Sequence, residues 1–334
     1  MDTTGDSGMA KGKGSQQYLM LILSLLSLKT KNEFLQSYNL FLKWLIMKKE
    51  ILKTLTTLVL VILPFLIATA IGKYSPYVEG NSFQTYVIIC TVISVAFVFI
   101  VSLLLKYYAQ SFGKLLIGGV LLFLLVCPLV GIFGLASAPD LSLKMLEHPE
   151  REHLRYIFLF IAAILFGTST LFLLISNSLQ IKNSTKWIVS VVFILAFAEF
   201  IWEFNHHYLY PEGLKEWVSQ GKKAEEFSKN YDNTTILNVG VIGRYFQFIL
   251  VIWLSLHLYK LRHIKIWSPI INIMFSLLGI VSATLVYITG FPFPKGFEIL
   301  MLFFIPGIPF FLLYWLGVAL LTRFKKSEIQ EVSV

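Results

Sequence analysis

Long apolar runs alternate with short, charge-bearing segments along almost the whole chain. Eight runs, at approximately 55–72, 86–105, 115–136, 156–176, 187–202, 236–259, 270–288 and 300–321, are apolar on every face. A helix needs about 20 such residues to cross a hydrocarbon core of roughly 30 Å. The two-residue alternation of a membrane barrel is missing from these runs. The pattern predicts an all-α, polytopic integral membrane helix bundle of about eight transmembrane helices.

Ahead of the first run the pattern changes. Residues 1–14 are polar and glycine-containing and are expected to be disordered. Residues 18–28 are apolar but too short to span. Phe34, Leu35, Tyr38, Phe41, Leu42 and Leu45 recur at helical spacing opposite Asn32, Glu33, Gln36, Asn39 and Lys43, which predicts an amphipathic helix on the inner membrane surface. Met47-Lys48-Lys49-Glu50, the following apolar run and Ala68-Thr69-Ala70 also have the parts of a secretory signal. The favoured expectation is an uncleaved first span. The organisation is then a tail and interfacial segment at 1–50, a bundle at 51–322 with outer loops at 137–155 and 203–235, and a basic tail at 323–334.

Composition narrows the class. Of 334 residues, 56% are hydrophobic and 14% charged, and the 29 Phe outnumber the 19 acids, too few charges to cover a soluble surface. The charges are also distributed unevenly between the two sides. With both termini cytoplasmic, 18 Lys and Arg fall inside and nine outside, whereas six acids fall inside and twelve outside. This is the bias expected of a membrane protein whose basic loops stay in the cytoplasm. The expected location is the plasma (cytoplasmic) membrane of a bacterium. The expected partners are the lipid bilayer and other membrane proteins, and not nucleic acid, because no basic patch sits on a soluble module. Cys90 and Cys127 fall within spans, so no disulfide framework is expected.

Polar groups placed where they are costly supply the candidate chemistry. Arg244 lies about eight residues, or ~12 Å, inside the sixth run, with Gln247 one turn on. A charge at that depth needs a partner or a watery cavity, and Glu199 on the preceding run is within reach. Glu199, Glu203, His206 and His207 share one arc of the fifth run, and carboxylates with imidazoles are what a general acid/base or metal site would use. Three ligands on successive turns of one helix are spread too far for one ion, so a metal is not expected. One could be held only if His148 or His153 folded over to join His206. Pro306, Gly307 and Pro309 interrupt the eighth run and form a hinge.

These features leave three functional classes. The favoured one is a non-catalytic membrane scaffold, sensor or complex subunit. The alternatives are a transporter or permease with a pathway near Arg244 and the broken last helix, and an outward-facing membrane enzyme using the Glu/His cluster. Whether the chain is an enzyme at all is undecided by its sequence, and no cofactor is implied: no phosphate-binding loop, nucleophile elbow, haem-spaced histidine pair or retinal lysine is present. The topology has a direct test. In intact cells, Lys222→Cys should react with a membrane-impermeant maleimide and Lys326→Cys should react only after permeabilisation, and the reverse pattern would invert the orientation.

Overall fold

Residues 58–108, 126–135, 142–175, 179–231, 234–290, 293–305 and 307–323, with scattered positions between 36 and 55, are described by the computed structural model. The chain divides into two units, Met1–Leu58 and Val59–Val334. In the first, the described positions are helical, and Lys48 lies over the Trp44 ring at 4.5 Å. Most of the predicted interfacial helix, including Phe34, Leu35, Tyr38, Phe41, Leu42 and Leu45, lies outside the described residues, as do the segment 115–125 of the third run and the tail beyond Arg323.

The described residues form helices and turns, with no strand among them. In chain order the helices are α1 (Leu58–Lys73), α2 (Phe83–Tyr108), α3 (Cys127–Leu135), α4 (Pro149–Ile175), α5 (Asn183–Tyr208), α6 (Tyr210–Ser219), α7 (Ala224–Tyr231), α8 (Thr234–Lys260), α9 (Trp267–Thr289), α10 (Met301–Phe304) and α11 (Gly307–Arg323). Among the described residues, three stretches are long and apolar enough to cross a membrane: α5 with its continuation α6, then α8 and α9. A bent pair, Glu298–Phe304 with Gly307–Leu320, adds a fourth if counted as one span, its halves meeting at 64°. This is the break expected from the hinge sequence. Ile305 leaves the helix with φ −59° and ψ 136°, the extended conformation imposed on a residue before proline.

Two expectations are corrected. The outer segment 137–155 is not loop throughout, because α4 begins at Pro149. Proline suits the first helical position, where its missing N–H costs nothing, and Glu150 and Glu152 in the first turn favour the positive end of the helix. Nor is 211–233 one flat helix, although Leu214, Trp217, Val218, Gly221, Ala224, Phe227 and Tyr231 fall along one side of a helical pattern that predicts an amphipathic helix lying on the outer membrane surface. Gly221, with φ +74°, reverses the chain between α6 and α7. The two helices bury their apolar sides against each other and against Met145, with Tyr210, Leu214, Ala224 and Phe227 at the centre. The stripe expected to lie on lipid is thereby covered by protein.

Elsewhere the helices pack through aromatic rings and small residues. Phe166 of α4, Phe200 of α5 and Phe310 of α11 meet at centroid distances of 5.0 to 6.3 Å. The Tyr314 hydroxyl of α11 donates to the Leu60 carbonyl of α1 at 2.7 Å. A Cβ at Gly279 of α9 would overlap the Phe248 ring of α8, and Phe248 is itself fully buried. Close approach of this kind drives helix association where lipid removes the hydrophobic contrast. Gly279→Val should therefore cost about 1–3 kcal/mol through overpacking, seen as a lowered unfolding midpoint of the purified protein in detergent, whereas Ile288→Val on the exposed face should leave it unchanged.

Candidate functional site

Arg244 is fully buried, as are Glu199 and Gln247 to within a few per cent, while the Glu203 side chain is 15% exposed. A guanidinium carries five N–H donors and no acceptor, and in this protein all five are used. Nε donates to the Phe304 carbonyl at 2.8 Å. Nη1 donates to both Glu199 oxygens at 3.1 Å and to the Gln247 side-chain oxygen at 3.0 Å. Nη2 donates to the Glu203 oxygens at 3.0 and 2.8 Å. The Gln247 amide nitrogen turns back to Glu199 Oε2 and, at 3.4 Å, to the Ala196 carbonyl.

Helical spacing produces this convergence. Glu199 and Glu203 stand one turn apart on α5, and Arg244 and Gln247 one turn apart on α8, so each helix offers two polar groups to the other. The Phe304 carbonyl stands where the chain leaves the helix at Ile305, and Arg244 donates to it there. Gly243 makes room. A Cβ there would overlap the Glu199 side chain, so the residue beside Arg244 must lack one. The Phe200 and Phe304 rings flank the guanidinium at 5.9 and 5.5 Å.

The histidines disperse. His207 stacks on Tyr156 of α4 at 5.8 Å. His206 faces α7, stacked on Tyr231 at 4.1 Å, and its carbonyl accepts from the Tyr231 hydroxyl at 2.9 Å. His148 lies 3.1 Å from Glu150, and His153 lies 2.9 Å from Glu212 and stacks on Tyr208. Among the described residues, no three His, Cys, Asp or Glu groups are arranged around a common metal position. Of the hinge residues, Gly307 opens α11 and Pro309 sits in its first turn, while Pro306 lies outside the described residues.

Chemically, the site is a closed ionic knot. Two carboxylates face one guanidinium, a formal excess of one negative charge, and the hollow beside Gln247 is lined by apolar side chains, Phe166, Phe193, Phe197, Phe200 and Pro309 among them. The roles of the Phe304 carbonyl and Gly243 were not foreseen from sequence. The signals that could have found them are the Gly-Arg pair at 243–244 and the carbonyls that a proline break must free.

Removing one partner of a buried ion pair strands the other. Arg244→Leu should cost about 3–5 kcal/mol, and Glu199→Gln combined with Arg244→Leu should be less damaging than the two single losses added together, the coupling being read from unfolding midpoints in detergent. Gly243→Ala should destabilise without removing any hydrogen-bonding group, and strictly additive losses in the double mutant would dissolve the knot as a unit. No protein family, curated protein or solved structure matches the chain, and the functional reading therefore rests on this geometry.

Proposed function

We propose that the chain is a non-catalytic multi-pass membrane protein, a scaffold, sensor or subunit of a membrane complex, in which the Arg244 knot fixes the broken last span to α5 and α8. The observation that carries this reading is the saturation of Arg244. With Nε, Nη1 and Nη2 all engaged by Phe304, Glu199, Gln247 and Glu203, no donor is left for a substrate. Binding one there would mean breaking a charge-assisted bond first. An eight-span topology with both termini cytoplasmic, in a bacterial plasma membrane, accompanies the proposal on the strength of the lysine and arginine asymmetry. Outward apolar side chains such as Trp187, Ile188 and Ile194, all more than 60% exposed, suit contact with lipid or a partner's helices.

A second reading, transport, is favoured by the 64° break at the last span, because transporters build sites from interrupted helices. The two readings differ in what the knot must do. A scaffold keeps it shut, whereas a transporter has to open it in every cycle.

Crosslinking in native membranes followed by mild-detergent purification should yield the chain in a complex of fixed stoichiometry. Arg244→Lys should lower the amount of folded protein and of complex in parallel. If instead the chain purifies alone, and a folded Arg244→Lys protein loses a solute flux that wild type supports in proteoliposomes, transport replaces the scaffold reading.

A further inference from the structure

At the end of the bundle opposite the α6–α7 hairpin, the turn from α4 to α5 and the turn from α8 to α9 are tied together. His257 Nε2 donates to the Leu179 carbonyl at 2.5 Å, and Leu179, Ile181, Leu258 and Ile264 are buried in one core. Lys182 follows Leu179 by three residues and Lys260 follows His257 by three, so each stands about one helical turn from the tie. Lys182, Lys260, Arg262 and Lys265 are exposed, and Lys186 is half-buried one turn further on. Residues 179–198 and 249–297 contain no acid, and none of these five cations is in an ion pair among the described residues.

Local structure accounts for only part of this clustering. Lys260 and Arg262 suit the C-terminal end of α8, where the helix dipole favours cations. Lys182 has no such support, since it is the N-cap of α5 and its side chain makes no capping hydrogen bond. Arg262 also has a backbone cost. The end of α8 is closed by the Arg262 N–H on the Tyr259 carbonyl at 2.8 Å and the His263 N–H on the Leu258 carbonyl at 2.9 Å, and Arg262 has φ +60°. Helices ordinarily place glycine at that position, because a Cβ is strained there. Among the described residues only Gln180 and Arg262 combine a side chain with positive φ, and each lies in one of the two tied turns. The chain therefore keeps an exposed guanidinium where glycine would fold more easily.

The surroundings of these cations identify the ligand. Trp187, Tyr259 and Trp267 stand beside them in the sequence and are 73%, 41% and 48% exposed. Such amphipathic rings sit at the headgroup level of a bilayer, and at that level a cluster of lysine and arginine meets the phosphates of anionic lipids. A soluble anion would engage the cations alone and would leave the exposed apolar side chains next to them without a use. We propose that the α4–α5 and α8–α9 turns together form a docking site for an anionic phospholipid, its headgroup held by Lys182, Lys260 and Arg262 and its acyl chains lying on neighbouring apolar surface such as Trp187.

The test uses the full-length chain, purified in a neutral detergent and stripped of lipid. Its unfolding midpoint is titrated separately with phosphatidylglycerol in mixed micelles, with phosphatidylcholine of the same acyl chains, and with inorganic phosphate. The midpoint should rise saturably with phosphatidylglycerol and with neither of the others. Lys182→Gln combined with Lys260→Gln should weaken the phosphatidylglycerol response about tenfold or more, the loss expected when two cations beside a headgroup are removed. Lys222→Gln combined with Lys223→Gln, which removes the same charge from the exposed surface of the α6–α7 hairpin, should leave it unchanged. Arg262→Gly separates binding from folding. Without lipid it should unfold at or above the wild-type midpoint, because the strain at φ +60° is relieved, and with phosphatidylglycerol it should respond more weakly than wild type. The proposal is overturned if phosphatidylglycerol acts no better than phosphatidylcholine, or if inorganic phosphate alone reproduces the rise. It is equally overturned if the two double mutants lose the response to the same extent, or if Arg262→Gly keeps the wild-type affinity. A lipid-free Arg262→Gly protein less stable than wild type also overturns it, since the guanidinium would then be held by the chain itself.

Discussion

A guanidinium buried among apolar helices has to find five hydrogen-bond acceptors within the protein, and the packing of the last spans follows from how Arg244 meets that requirement. Four acceptor oxygens belong to two carboxylates one turn apart on α5, a fifth is the amide oxygen one turn on along α8, and a sixth is the Phe304 carbonyl where the final span breaks. No single helix could have supplied all of them. The arginine therefore fixes three elements at once, and the kink is held by a side chain from another helix in place of its own backbone. Ser282 reinforces this from α9, donating to the Leu300 carbonyl at 2.6 Å on the near side of the same break.

Such a knot needs helices closer together than large side chains permit. Gly243 admits the Glu199 side chain, Gly279 admits the Phe248 ring, Gly131 lies against Phe310 and Gly134 against Leu159 and the Arg155 carbonyl. Gly243, Gly279 and Gly131 are in helix interiors, where glycine weakens the isolated helix by roughly 1 kcal/mol relative to alanine. In each case a buried side chain or backbone group of another helix takes the space. Local helix propensity is lost and tertiary contact is gained, the direction expected where packing, and not hydrophobic contrast with the solvent, holds helices together.

Three candidate spans among the described residues were legible because apolar runs of this length have few other uses: α5, α8 and α9 fall on three of the predicted runs. The break in the last span was legible from Pro306, Gly307 and Pro309. The meeting of Arg244 with Glu199 was legible as well, since a charge at depth requires a partner and few were on offer. What sequence periodicity does not carry is the identity of the surface that an amphipathic stripe covers. The apolar side of 211–233 has the same pattern whether it lies on lipid or folds back on itself, and the turn at Gly221 decided in favour of the second. For the same reason His206 and His207 share an arc with Glu199 and Glu203 yet have different neighbours, Tyr231 and Tyr156.

A buried charge cluster on α4, formed by Arg151, Glu152 and Arg155, escaped the sequence for another reason. Charged residues at the end of an apolar run are ordinarily solvated, so Arg151, Glu152 and Arg155 suggested a loop. Proline at the first position, followed by two glutamates in the first turn, carries the helix outward past the apolar run. That extension takes both arginines with it into protein. The two buried charge clusters then differ in what completes them. At Arg244 two carboxylates meet one guanidinium and every donor is filled from within the chain. On α4 Glu152 pairs with Arg151 and stands 3.5 Å from Arg155, an ion pair without the hydrogen bonds that saturate Arg244. The first arrangement is complete as a structural tie.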